Sequence, residues 1–296
     1  MRVVVTGSAG RLGRNVCAVL AEAGHAVTGL DRVEHPGGRV VDLTDAEATR
    51  SVIAELEPEA VVHLAAIAIP FSAPEHVIFR VNTTMAFTVI EAAILAGATR
   101  VLAASSPTVF GYGTPGWRPA RLPLDESERP KPSNAYSLSK VVVEETVEAF
   151  ARANPAVRLA AFRPCYVIAP EEWDGALTQQ GHTIVDRLLQ PELAAVSLFN
   201  YVDARDVGDF IGLWLDASSA PSGATYLVGA TDALATSPLA ELVATYHPDL
   251  GDLASGLTGT EPAFDCSAAG RDLGWRARRS WRTELPANAL PERTHS

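Results

Sequence analysis

The sequence predicts an α/β fold: a doubly wound parallel sheet with a small C-terminal part that covers the substrate. Three observations predict it. Short apolar strands alternate with helix-length stretches along most of the chain. The first strand runs straight into a glycine-punctuated turn, Thr6-Gly7-Ser8-Ala9-Gly10-Arg11-Leu12-Gly13. Tyr136 and Lys140 stand four residues apart at the start of a helical stretch. Such alternation implies parallel strands joined by crossover helices, with chemistry at the strands' carboxyl ends.

The elements follow in order. Arg2-Val3-Val4-Val5 is a β-branched run and reads as a buried strand. The turn after it opens a helix whose apolar positions are Val16, Val19, Leu20 and Ala23. Strand, glycine turn and helix together form the context of a dinucleotide-binding site. Gly7 permits the tight turn, Gly10 lets backbone N–H groups approach a pyrophosphate, and Gly13 allows close packing of helix on strand. The helix then presents its positive dipole end to the phosphates.

The second strand, Ala26–Leu30, ends in Asp31. A carboxylate there accepts hydrogen bonds from a ribose and repels a 2′-phosphate, which favours NAD over NADP. Arg32 pulls the other way, because a guanidinium can pair with that phosphate. A third strand at Arg39–Val41 leads into Asp42-Leu43-Thr44-Asp45, which can cap a helix over 46–56. Ala60–Leu64 is another apolar strand, opening into Ala65-Ala66. A long helix covers about 76–96, and Arg100–Ala104 is the fifth strand. Ser105 and Ser106 follow it, and a serine hydroxyl at that strand end can donate to or accept from a substrate oxygen. The helix of Tyr136 and Lys140 runs to about Asn154, and 157–162 makes the sixth strand. Further on, 179–189 and 203–216 read as helices and 224–228 as a late strand.

Four residues are one helical turn, so the Tyr136 phenol and the Lys140 ammonium project from one face. A nearby cation favours the phenolate, and a phenol pulled below its usual value of about 10 can take a proton from an alcohol.

Composition narrows the function classes. The 296 residues suffice for one large α/β domain with an appended part: 1–165 as the dinucleotide-binding domain with 201–229 returning to it, 166–200 and 230–290 as the substrate part, and 291–296 as a tail. Without a run of 18 apolar residues or a signal-peptide layout, the expectation is a cytoplasmic protein with no membrane partner. A net charge of −11 argues against nucleic acid as partner. Cys17, Cys165 and Cys266 are too scattered for a disulfide framework, and the seven histidines lack metal-ligand spacing, so no metal is expected.

The motifs resemble those of the extended short-chain dehydrogenase/reductases, the family of NAD-dependent sugar epimerases and dehydratases. The resemblance rests on the glycine turn, Asp31, Asp42-Leu43, His63-Leu64-Ala65-Ala66 and Asn82. It continues through Ser106…Val109-Phe110-Gly111, Tyr136…Lys140, Arg163-Pro164, Tyr201-Val202-Asp203 and Leu273-Gly274-Trp275. It implies an enzyme in which Tyr136 is the general acid/base and Ser106 orients the reacting hydroxyl. Lys140 would hold the nicotinamide ribose and depress the tyrosine pKa. It also implies cofactor contacts at Arg11, Leu12, Asp42, Leu43, Ala65, Ala66 and Asn82, and a homodimer built on the helices of 76–96 and Tyr136.

Departures from the family pattern bear on the substrate. Pro107-Thr108 stand where the dehydratases carry an acid–base pair. Tyr166 occupies the position of an asparagine common in nucleotide-sugar enzymes. With the short C-terminal part, these point to a small sugar-like alcohol or lactol as substrate, with Arg163, Tyr166 and Arg205 as its candidate contacts. Oxidation with release of NADH is the leading expectation. A hydride-returning epimerase and a non-catalytic dinucleotide sensor are the alternatives. If Asp31 selects the cofactor, Asp31→Ala weakens NAD binding more than NADP binding, and titrating both dinucleotides into wild type and variant reads this directly.

Overall fold

The structure is a computed structural model that describes residues 1–286 and 288–290, so the expected tail over 291–296 lies outside the described residues. Seven strands form one parallel sheet in the order β3-β2-β1-β4-β5-β6-β9. They are β1 (Arg2–Thr6), β2 (Ala26–Asp31), β3 (Gly38–Val40), β4 (Ala60–His63), β5 (Arg100–Ala104), β6 (Arg158–Pro164) and β9 (Ala224–Val228). A separate parallel pair joins β7 (Val167–Ile168) to β8 (Val202–Asp203). The strand order reverses direction at β1, between β2 and β4, which is where a doubly wound sheet opens its ligand crevice.

Strands buried on both faces carry continuous apolar runs, as Val3-Val4-Val5 and Val61-Val62 do. Alternate residues serve opposite layers. Val3 and Val5 face a core with Val16 and Leu20 of α1 (Arg11–Glu22) and with Val207 and Ile211 of α8 (Ala204–Asp216). Val4 and Val61 face the other core, under α2 (Ala46–Leu56), α3 (Glu75–Leu95) and α4 (Ala135–Ala153). The predicted strands and long helices all occur, with ends shifted by one or two residues.

α3 is apolar and long enough to span a membrane by composition, yet half of it is buried inside the protein. Packing against the sheet and α4 accounts for Ile78, Met85, Val89 and Ile90. α8 and β9 return to the sheet, and segments both before α8 and after β9 build the C-terminal part. It includes α5 (Pro170–Trp173), α6 (Ile184–Leu189), α7 (Glu192–Ala195) and α9 (Leu239–Tyr246).

One helix differs from expectation. The predicted helix over 179–189 begins only at Ile184. Thr183 caps it by accepting from the Asp186 N–H while Asp186 accepts from the Thr183 N–H, and Gly181 just before it holds φ +83°. A capping box and a left-handed glycine start the helix there and leave 174–183 as a loop.

Gly208 shows how closely α8 lies on α1: a Cβ there would meet the Val19 side chain at 2.8 Å. Gly208→Val therefore pushes the two helices apart, at a cost of about 1–3 kcal/mol. A urea midpoint lowered relative to wild type, with an unchanged slope, checks this.

Candidate active site

The glycine turn is built by contact. Gly7 takes φ +72°, and a Cβ there would lie 2.8 Å from the Ala65 nitrogen. A Cβ on Gly13 would lie 2.0 Å from the Gly7 carbonyl oxygen. Any side chain at either position would fill the space between β1, the Ala65-Ala66 loop and the start of α1. Thr6 ties the same parts together. Its hydroxyl accepts from the Leu64 and Ala65 N–H groups and lies 2.8 Å from His63 Nδ1. Burial, with the Lys140 charge nearby, drops the His63 pKa to about 3, so His63 is a neutral strut.

Gly10 is the N-cap of α1, where the first backbone N–H groups and the helix dipole face outward. Leu12 packs against the core. The Asp31 carboxylate sits level with this turn and accepts from the Ala9 N–H at 3.0 Å. Asp42 is exposed at the neighbouring strand end, where Thr44 donates to it twice, with the Arg32 charge close by. Those bonds hold its carboxyl below the usual range. Leu43 beside it is buried. A narrow glycine cradle at a helix N-terminus, with a carboxylate at the second strand end, fits a dinucleotide such as NAD.

Asn82 was expected at the cofactor. Its side chain instead accepts from the Ile67 N–H at 2.8 Å and donates to the Ile67 carbonyl and to Ser139 Oγ. With its amide so engaged, it acts on a cofactor only by fixing the loop that carries Ala65 and Ala66 against α4. Arg11 turns from the glycine turn toward the C-terminal part. It donates to the Val167 carbonyl and lies 3.4 Å from Glu172, while its Nε has no hydrogen-bond partner.

The carboxyl end of β5 meets α4. Asn134 caps α4 by accepting from the Ser137 N–H, which starts the helix one residue before Tyr136. Tyr136 and Lys140 are both buried. The Lys140 ammonium donates to the Ala104 carbonyl at 2.8 Å and stands 5.8 Å from the centre of the Tyr136 ring. Ser106 stands just past the end of β5, where its hydroxyl accepts from the Thr108 N–H at 3.3 Å and from the Thr108 hydroxyl at 2.9 Å, and its influence on the Tyr136 phenol is to lower the pKa. Ser105 faces the other way and donates to Glu144 at 2.5 Å.

The pKa directions correct one expectation. Burial is the largest influence on Tyr136 and raises its pKa, and the opposing influence is the Ser106 hydrogen bond rather than Lys140. Burial also brings Lys140 down to about 8, against the opposing pull of Glu144. The ammonium form still predominates at neutral pH.

Two of the three expected substrate contacts are spent on internal pairs. Arg163 is buried, makes two hydrogen bonds to Glu144 at 2.7 and 2.8 Å, and stacks on Phe110 at 4.7 Å. Arg205 pairs with Asp203 at 2.6 Å and with Glu284 at 2.5 Å. Their reading as contacts gives way to these partners. Tyr166 is half-buried, and its hydroxyl has no hydrogen-bond partner among the described residues.

Sequence reading missed Glu144 and Tyr112. Glu144 continues the stripe of Tyr136 and Lys140 by one more turn, and that spacing was the available signal. Tyr112 lies near Asn200, Cys165 and Tyr136, and burial raises its pKa. Only the fold brings those residues together.

A glycine cradle and a buried Tyr136–Lys140 pair thus lie at the carboxyl ends of strands of one sheet. A family profile described as the NAD dependent epimerase/dehydratase family matches residues 3–229. The chain belongs to that family. It is 27% identical over 216 residues to UDP-glucose 4-epimerase of Erwinia amylovora, covering 67% of this chain and 62% of that one. It is 29% identical over 168 residues to the Bacillus subtilis UDP-glucose 4-epimerase, covering 49% and 46%. The matched part thus spans about half of the curated relatives' length. Among solved structures, a short-chain dehydrogenase/reductase superfamily protein from Agrobacterium tumefaciens with bound NAD superposes with a TM-score of 0.72 at 24% identity, covering 98% and 96%. The Thermotoga maritima UDP-glucose 4-epimerase with UDP-glucose gives 0.71 at 19%, covering 95% and 94%.

Removing Glu144 strands a buried guanidinium. Glu144→Ala should therefore cost about 3–5 kcal/mol, whereas the double change Glu144→Leu with Arg163→Met should cost much less. Chemical denaturation of both variants measures the difference.

Proposed function

We propose that this protein is an NAD-dependent oxidoreductase acting on a secondary alcohol or lactol of a small sugar-like substrate. One observation carries the reading: Tyr136 and Lys140 are buried one turn apart on α4 against the carboxyl end of β5, with the Lys140 ammonium on the Ala104 carbonyl at 2.8 Å and Ser106 just past that strand end. Ser106 orients the substrate hydroxyl and Tyr136 takes its proton. Lys140 supplies the fixed positive charge below them. NAD, held at the glycine turn and Asp31, supplies hydride chemistry when bound. Tyr136, Lys140 and Ser106 work in the opposite sense for reduction, with Tyr136 returning the proton.

The substrate binds between this strand end and the part formed by 166–200 and 230–290. Tyr166 at a position used elsewhere for an asparagine, and the modest size of that part, support a small substrate over a nucleotide sugar. A second reading is supported by the relatives, which are UDP-glucose 4-epimerases. In it the hydride returns to the substrate and NAD is not consumed. A cytoplasmic location belongs to either reading. So does a homodimer through α3 and α4, supported by exposed Phe87, Leu95 and Leu138 on these helices.

A panel of free sugars, sugar acids and nucleotide sugars with NAD separates the readings. Net oxidation accumulates NADH, whereas epimerisation converts the sugar without it. Tyr136→Phe should lower turnover by about 10²-fold or more while leaving NAD affinity nearly unchanged. Full activity in that variant would remove Tyr136 from the chemistry.

A further inference from the structure

Arg187 is the most unusual charge in the C-terminal part. It is fully buried on α6 and makes no ion pair among the described residues. Its contacts are neutral: Nη1 donates to Gln180 Oε1 at 2.6 Å and lies 3.0 Å from His182 Nε2, and Nη2 donates to Ser197 Oγ at 3.3 Å. Its Nε has no hydrogen-bond partner among the described residues. The guanidinium lies 4.1 Å from the centre of the Tyr166 ring, and the Tyr166 hydroxyl is also buried without a partner. Glu172 acts on it only at longer range and is already in ion-pair contact with Arg11. Two arginines thus share one buried carboxylate, which leaves a positive charge over.

A buried charge without a counter-ion is costly, and as a strut it is inferior to an apolar side chain of similar size. The position explains what it is suited for. Ser197 links Arg187 to the carbonyl of Asn200, whose side chain accepts from the Tyr166 N–H, and Tyr112 lies near both Asn200 and Tyr136. Hydrogen bonds therefore run from Arg187 through Ser197 and Asn200 to the Tyr166 backbone. Its cover is the loop of 174–183, in which Gly175 and Gly181 take left-handed conformations and Gln180 is exposed.

We propose that Arg187 and Tyr166 form the anchor for an oxyanion, a carboxylate or phosphate, on the substrate. The oxyanion replaces the Gln180 amide oxygen and takes up the free Nε and the Tyr166 hydroxyl. A guanidinium presents paired donors that match such a group, which a neutral sugar lacks. This rests on the oxidoreductase reading for the identity of the ligand as substrate, but not for the binding itself.

Binding is measured by calorimetry on the NAD-loaded protein with glucuronate, glucose 1-phosphate, inorganic phosphate and glucose as probes. Wild type should bind glucuronate or glucose 1-phosphate at least about tenfold more tightly than glucose, and the stronger of the two identifies the anion's source. Arg187→Met should lower that affinity by about 10- to 100-fold without changing the weak glucose affinity. Its ligand-free thermal midpoint should hold or rise. Tyr166→Phe should weaken the same anion less, and Gln180→Ala should leave it bound as tightly or more so.

Unchanged anion affinity in both Arg187→Met and Tyr166→Phe overturns the proposal. So does a parallel loss for glucose and anions with a fallen midpoint, and so does binding of inorganic phosphate alone, an adventitious ion only. Should Arg187→Met fail to fold, Tyr166→Phe and Gln180→Ala decide by the same criteria. Arg187-dependent anion binding without any NADH formation would sink the oxidoreductase reading and keep the anchor. NADH formed from neutral sugars alone, without such binding, would do the reverse.

Discussion

The bond from Lys140 to the Ala104 carbonyl holds the site together. It fastens α4 to the carboxyl end of β5 and places a cation in the buried space beside Tyr136 and His63. Burying an ammonium is expensive, so its surroundings are organised around that cost. Glu144, one turn along, acts on Lys140 and also pairs with Arg163, which itself lies flat on Phe110. His63 stays neutral in part because Lys140 is near. Each of these groups would be costly alone, and together they satisfy one another.

The second constraint is steric. The first βα turn leaves no room for a side chain at Gly7 or Gly13, and the Thr6 hydroxyl pins the Ala65-Ala66 loop beside it. Asn82 carries the restraint across to α4 through Ser139. The cradle that suits a dinucleotide and the helix that carries the acid–base groups are therefore connected by hydrogen bonds rather than by proximity alone.

The sheet was legible because its signals are local. Val3-Val4-Val5, the glycine turn and the Tyr136–Lys140 spacing each announce their role within a few residues. The readings at Arg163, Arg205 and Asn82 changed because of partners that the packed chain supplies. Arg163 looked available because Glu144 lies 19 positions away in the chain, whereas Arg205 pairs both with Asp203, two positions away, and with Glu284, 79 positions away. Asn82 looked like a ligand contact because its true partner, Ile67, is a backbone group on a loop 15 residues earlier. The same holds for Arg187, whose isolation from carboxylates is a property of the packed C-terminal part and has no mark in the order of residues.

The central claim is that a buried phenol tuned by Ser106 is the proton acceptor. Its direct test is the pH dependence of kcat/KM for substrate oxidation in wild type and in Ser106→Ala. Burial keeps the phenol protonated at neutral pH, so the wild-type value should climb with pH, by up to about tenfold per unit, and level off once Tyr136 ionises. Loss of the Ser106 hydrogen bond raises the pKa further, so the climb in the variant should move to higher pH. A wild-type profile flat from neutral to alkaline pH, or a variant whose climb coincides with the wild type's, would contradict the account.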